Sequence, residues 1–232
     1  MNTNLTQEQK DYAIFLPAIS GFFATFIGKQ RREEYVEKSR IPSNFPNEVE
    51  SMNWLNPSKS MFEYKWSLYS AGHADLDVNK DVSKELMVRD RDRQNSWLLG
   101  DSGGFQIGKG VWEGDWKDPN CPKAKKKREQ VLTWMDAYMD YGMILDIPAW
   151  VSRSPAGVKA TGISTYQEAV AATRINNDYF MKNRNGNCKF LNVLQGENHA
   201  DAEDWYQQMK DYCDPKKYTD HFNGWSMGGQ NM

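Results

Sequence analysis

The feature that most limits the fold of this chain is a recurring unit, a short apolar run that ends in polar or glycine residues and leads into a helical pattern. Trp97-Leu98-Leu99 runs into Gly100-Asp101-Ser102-Gly103-Gly104-Phe105-Gln106, and Tyr141 to Leu145 runs into Asp146-Ile147-Pro148. Phe190 to Leu194 leads to Gln195-Gly196-Glu197, and Phe222 to Met227 leads to Gly228-Gly229-Gln230. Runs this apolar read as strands buried on both faces, the pattern of a parallel sheet. Between them lie helices. Lys125 to Tyr141 sets Val131, Met135, Tyr138 and Met139 on one face. Another helix begins at Ser164 or Thr165, with Gln167 or Glu168 three residues on as a capping box. Ala200 to Cys213 places Ala202, Trp205, Tyr206, Met209 and Tyr212 at helical spacing.

Strand–helix alternation without a GxGxxG turn predicts an α/β chain of the (β/α)8 TIM-barrel type rather than a dinucleotide-binding sheet. The length of 232 residues suits a single domain, residues 1–232. The segment 29–60, charged and then rich in Pro and Asn, reads as an exposed excursion before the later strands. In such barrels the chemistry sits at the C-terminal ends of the strands, and the unusual residues of this chain fall there.

Charge and cysteine content narrow the function. The net charge is −2, so any nucleic-acid contact must come from a local patch rather than from the whole surface. Cys121, Cys188 and Cys213 contain no close pair, which argues against a disulfide framework and a CxxC metal site and points to a reducing, cytoplasmic setting. The apolar stretch from Tyr12 to Ile27 is interrupted by Pro17, Ser20, Gly21 and Thr25, and is shorter than the roughly 20 apolar residues that span a bilayer. It lacks the basic flank and cleavage site of a signal peptide. It reads as a strand ending at Leu16-Pro17 followed by a turn and a buried helix start, with no membrane partner.

Gly100-Asp101-Ser102-Gly103-Gly104 carries the letters that surround the nucleophile of trypsin-like proteases, and His73 precedes it. That fold holds its triad on two β-barrels with the serine late in the chain, whereas long helical sequence follows Ser102 here, so a protease is rejected.

Four strand ends taken together read better. Asp101-Ser102-Gly103-Gly104-Phe105-Gln106, then Asp146, then Val193-Leu194-Gln195-Gly196, then Trp225-Ser226-Met227-Gly228-Gly229 resemble the tRNA-guanine transglycosylase family in order and approximate spacing. The resemblance covers roughly residues 90 to 232, and its DSGGFQ element after an apolar strand is its most specific part. Taken singly, the aspartates are caps or turn residues, Gln195 a buried amide and Gly-Gly a turn. The resemblance implies a transferase that exchanges guanine for a 7-deazaguanine derivative in a nucleic acid. It makes Asp101 the general acid/base, Asp146 and Gln195 the base readers, Gly228 and Gly229 the wall at O6, and Phe105 the stacking ring. Ser102, Gly103 and Gln106 would shape the pocket, and Gly196 would join Gln195 among the base-binding residues. The chemistry is coherent: guanine offers N1–H and an amino group as donors and O6 as acceptor, which a carboxylate, an amide and backbone N–H groups complement.

The N-terminal Leu16-Pro17-Ala18-Ile19-Ser20-Gly21-Phe22-Phe23 and the Gly229-Gln230-Asn231 ending look more like the DNA-acting branch, the deoxypurine-in-DNA protein A group, than like the tRNA enzymes. DNA is therefore the expected partner, with tRNA the alternative. In the family the nucleophilic Asp and a structural zinc cluster lie well past the Gly-Gly strand end. This chain ends at Met232, so the expectation is an incomplete barrel with no metal or other cofactor of its own, and with a second polypeptide or continued reading supplying the nucleophile. Binding without catalysis is the competing reading. The basic run Lys123-Ala124-Lys125-Lys126-Lys127-Arg128 offers Lys125, Lys126, Lys127 and Arg128 as contacts to phosphates, against the blander reading of a solvated face.

Overall fold

A computed structural model of the chain describes residues 13–228. Five parallel strands form its sheet: β1 Trp66–Ser70, β2 Trp97–Asp101, β3 Tyr141–Met143, β4 Lys189–Leu194 and β5 Trp225–Met227. They lie side by side in chain order, β1-β2-β3-β4-β5, with every pair parallel. Ahead of β1, Pro17 and Ile19 flank a parallel bridge between Ala18 and Leu68, so the apolar N-terminal run extends the same order by one short segment. The α/β class read from the sequence is therefore present, carried by this sheet.

Among the described residues, seven α-helices connect and cover the strands. They are α1 Gly21–Arg32, α2 Leu86–Arg89, α3 Gly104–Gly108, α4 Pro122–Tyr138, α5 Pro155–Thr161, α6 Tyr166–Asn183 and α7 His199–Met209. Parallel neighbours joined by right-handed crossovers in unbroken order send each crossover helix to the same face of the sheet. The packing agrees, since α4 touches α6 and α6 touches α7. Their starts are chemically defined. Ser20 accepts from Phe23 N–H at 3.1 Å to cap α1. Thr165 accepts from Glu168 N–H at 3.2 Å to cap α6, and Glu168 returns a bond to Ser164 N–H at 2.6 Å. The capping box expected at Ser164 or Thr165 is thus in place.

The core lies between sheet and helices. Leu98, Trp134, Met135, Phe180, Phe190 and Trp205 are all fully buried there. Gly100 lets α4 approach β2, because a Cβ would lie 2.8 Å from Met139 Cγ. Two expectations are corrected here. The segment 29–60 is more than an excursion: it holds short helical turns at Lys38–Arg40 and Glu48–Met52, buries Val49 and Leu55, and ties Glu50 to Arg31 of α1. The last apolar run yields a strand only over Trp225–Met227, because Phe222 instead packs into the core against Phe190 and Tyr212. No helix among the described residues is long and apolar enough to cross a membrane.

Candidate functional site

Parallel strands bring all their C-terminal ends to one edge of the sheet, and a cavity of about 520 Å³ opens there, within the size range of small-molecule sites. Asp101 closes β2, Asp146 follows β3, Gln195 follows β4 and Gly228 follows β5. All four line the cavity together with Phe105. Residues spread over more than a hundred positions thus meet in one recess.

At its centre are two buried side chains, Asp146 at 7% exposure and Gln195 at 4%. Gln195 Nε2 donates to Asp146 Oδ2 at 2.5 Å. This orientation leaves Gln195 Oε1 buried without a hydrogen-bond partner. A buried acceptor left unpaired costs about 1–3 kcal/mol, and no described residue donates to this one. Burial pushes the Asp146 carboxyl up to about 6, opposed by the Gln195 hydrogen bond and reinforced by the negative charge of Asp101. Asp101 is held by the hydroxyl of Ser70, its register partner on β1, which donates to Oδ2.

Glycines let the backbone close in on this pair. Gly103 caps α3 in the left-handed region with φ +80°, and a Cβ on Gly104 would fall 2.8 Å from Asp146 Oδ1. A Cβ on Gly228 would fall 2.5 Å from Gln195 Nε2.

The rim is apolar and basic. Phe105 is 59% exposed, and its ring centroid lies 6.0 Å from that of Trp150 at an interplanar angle of 60°. Lys109 Nζ stands over both rings, 5.3 Å from the Phe105 centroid and 5.7 Å from that of Trp150. Met227, also exposed, lines the same recess.

Compared with protein-family models, with curated proteins and with solved structures, the chain matches none.

Several sequence-predicted residues lie elsewhere or act differently. Ser102 is buried, its hydroxyl acting to lower the Asp146 carboxyl, and His73 is exposed and packs beside Gly21, so Ser102 and His73 are not a pair. Gln106 folds away from the cavity, its side-chain amide filling the space over Gly72 and its backbone carbonyl accepting from Val111 and Trp112 N–H. Gly196 packs against Ala202 in the first turn of α7. Gly228 N–H is spent on Leu194 O at 2.9 Å, so this residue contributes its lack of a side chain rather than a donor to O6. Gly229 lies outside the described residues.

The basic run divides. Arg128 is 1% exposed; its Nε donates to Asn176 Oδ1 at 2.6 Å and its guanidinium lies near the rings of Trp116 and Tyr179. It is a core residue and does not reach phosphates. Lys125 and Lys126 are exposed, and Lys127 sits over the Trp112 ring. No group of three or more His, Cys, Asp or Glu that could hold a metal ion occurs among the described residues.

Lys109, Trp150, Met143 and Met227 line the cavity without having been singled out in the sequence. Lys109 carried a signal: it lies four residues after Phe105, one helical turn along, on the same face. Met227 stood in the strand end before Gly228, whereas Trp150 carried no signal, because its place depends on the sheet.

Proposed function

We propose that this cavity takes a guanine-type base presented by a nucleic acid, and that the protein is a nucleic-acid guanine transglycosylase, exchanging guanine for a 7-deazaguanine derivative in DNA, with tRNA as the alternative substrate. The observation that carries this reading is the Asp146–Gln195 pair at the cavity centre, with a carboxylate and an unpaired amide oxygen both waiting for donors. Guanine's N1–H and amino group supply such donors, and the second N–H of Gln195 Nε2 suits O6. Phe105 at the rim offers a face on which the base stacks. Asp101 is the group assigned to carry the proton that the departing base gains and the incoming base gives up.

The unbroken strand order and the contacts of α4 with α6 and of α6 with α7 support reading the sheet as an arc of a (β/α)8-type barrel, whose C-terminal edge is the usual place for chemistry. Binding without exchange is favoured by one observation. Asp101 and Asp146 are the two carboxylates that line the cavity among the described residues, and both already have roles, which leaves neither for attack on the sugar.

Calorimetric titration with 7-deazaguanine tests the base site. Asp146→Asn should weaken binding by about 1–3 kcal/mol for each donor left without an acceptor. Undiminished affinity in that variant would remove Asp146 from the pocket. Incubation of the chain with labelled guanine and either duplex DNA or tRNA then separates exchange from binding alone.

A further inference from the structure

Beside the base cavity lies a second recess of about 490 Å³, walled by Val111, Trp112, Glu113, Lys123, Lys126 and Lys127. We propose that this recess is a seat for single-stranded polynucleotide, with Trp112 stacking a base that neighbours the one in the cavity and Lys126 and Lys127 holding the adjoining phosphates. The inference rests on reading the cavity as a base site and deepens it by saying how the strand arrives there.

Three observations converge. The first is continuity. Trp112 packs under the Asp101 loop, where a Cβ on Gly103 would lie 2.6 Å from Trp112 Cη2. The chain from Phe105 to Trp112 therefore runs from the rim of one recess to the floor of the other, with Lys109 and the exposed Val111 between them.

The second is composition. Lys127 Nζ sits over one face of the Trp112 ring, 4.7 Å from its centroid, so a cation and an aromatic ring are presented together, the pairing that single-stranded nucleic acids meet in their binding grooves. Lys109, Lys126 and Lys127 form no ion pair among the described residues, whereas Glu113 is already held by Lys123 at 3.1 Å. The net field of the recess is positive although the chain as a whole is not.

The third is extent. On the other side of Trp112 a smaller recess of about 280 Å³ shares Trp112 and Lys127 with this one, so the pair is open to both. Its wall also carries Asp75, Asp77 and Lys84, and Asp75 is already held by Lys80 at 3.0 Å, so no net negative charge turns a strand away.

Oligothymidylate and oligouridylate are suitable probes, because neither contains guanine. Fluorescence anisotropy of labelled probes across a salt series, with the full chain, should show binding that weakens with salt. Each phosphate contact to a single strand adds about 0.7 to the log–log slope, so the double variant Lys126→Ala/Lys127→Ala should flatten it by about 1.4. Trp112→Leu should lower affinity about 5- to 150-fold, the loss of about 1–3 kcal/mol of stacking. Should that variant fail to fold, the exposed charge reversal Lys126→Glu carries the test, with weaker binding expected. A preference for thymidylate names DNA and one for uridylate names RNA, and either supports the seat. Three results overturn it: no binding at low salt, an unchanged slope in the double variant, or equal affinity for polyglutamate. The base site is scored separately, since 7-deazaguanine titration of the double variant should match wild type. Oligonucleotide binding without 7-deazaguanine binding would keep the seat and discard the base reading.

Discussion

The two ends of the same sheet treat buried charge in opposite ways. At the N-terminal ends of the strands, Arg91 is buried and donates to Asp140 Oδ2 at 2.8 Å, to Ser96 O at 2.9 Å and to Tyr138 O at 3.3 Å. Asp140 Oδ2 also accepts from Leu98 N–H at 2.8 Å, so the pair fastens the start of β2 to the entrance of β3. At the C-terminal ends Asp101 and Asp146 line one cavity, and neither has an arginine or lysine partner among the described ion pairs. One end satisfies its charges and fixes the sheet. The other leaves acceptors open, which costs stability and creates affinity for donors.

The largest effect is expected where the charges are closed. Arg91→Ala leaves the largely covered Asp140 carboxylate, 10% exposed, without its cation and should cost about 3–5 kcal/mol of folding stability, read from denaturant midpoints. Adding Asp140→Asn should recover part of that loss, since a neutral amide tolerates burial better than an unpaired carboxylate. A loss below about 1 kcal/mol would mean that this end of the sheet gains little from its ion pair, and the contrast would weaken.

At the open end the sign reverses. The Asp146 carboxyl stands at about 6 against an ordinary value of 3.8 because burial disfavours its charge. The folded state therefore binds more protons than the unfolded state between those values, and stability falls as pH rises through about 6. Asp146→Asn carries no such charge. Relative to wild type it should gain up to about 3 kcal/mol above pH 7 and nothing below about pH 4, while its affinity for 7-deazaguanine falls. Thermal unfolding of both proteins across pH gives the comparison. A variant destabilised at every pH would show that Asp146 holds the fold together and is not a group kept under strain for a ligand.

What the sequence made legible follows the same division. The strand ends Asp101, Asp146, Gln195 and Gly228 were readable because each follows an apolar run, and parallel pairing then has to gather them. The capping box at Thr165 was readable because its signal is local. Strand β1 was not, since Trp66-Ser67-Leu68-Tyr69-Ser70 alternates instead of running apolar, and its buried Ser67 is satisfied from afar by Trp54 Nε1 at 2.7 Å. Arg128 looked like part of a basic face. Its position says otherwise, for Ala124, Arg128, Val131 and Met135 follow one another at helical spacing and all are buried. Gly228 was misread for a different reason: sequence shows that a glycine has room, not whether its N–H is already taken by Leu194.

The smallest effect sharpens the comparison most, because it asks whether the two open carboxylates sense each other. Burial is the main cause of the raised Asp146 carboxyl, and the charge of Asp101 adds to it. Asp101→Asn removes the charge while preserving the size of the side chain and the acceptor for the Ser70 hydroxyl. The titration of Asp146 should then move below about 6, toward but not reaching the ordinary carboxylate range, since desolvation remains. Carboxyl carbon shifts followed by NMR across pH report this directly. The pH below which 7-deazaguanine binding weakens should move down in step, because the base donors need Asp146 ionised. An unmoved midpoint would place the two carboxylates in separate electrostatic environments. Asp101 would then lose its claim to act on a base held by Asp146, even if both residues still line the recess.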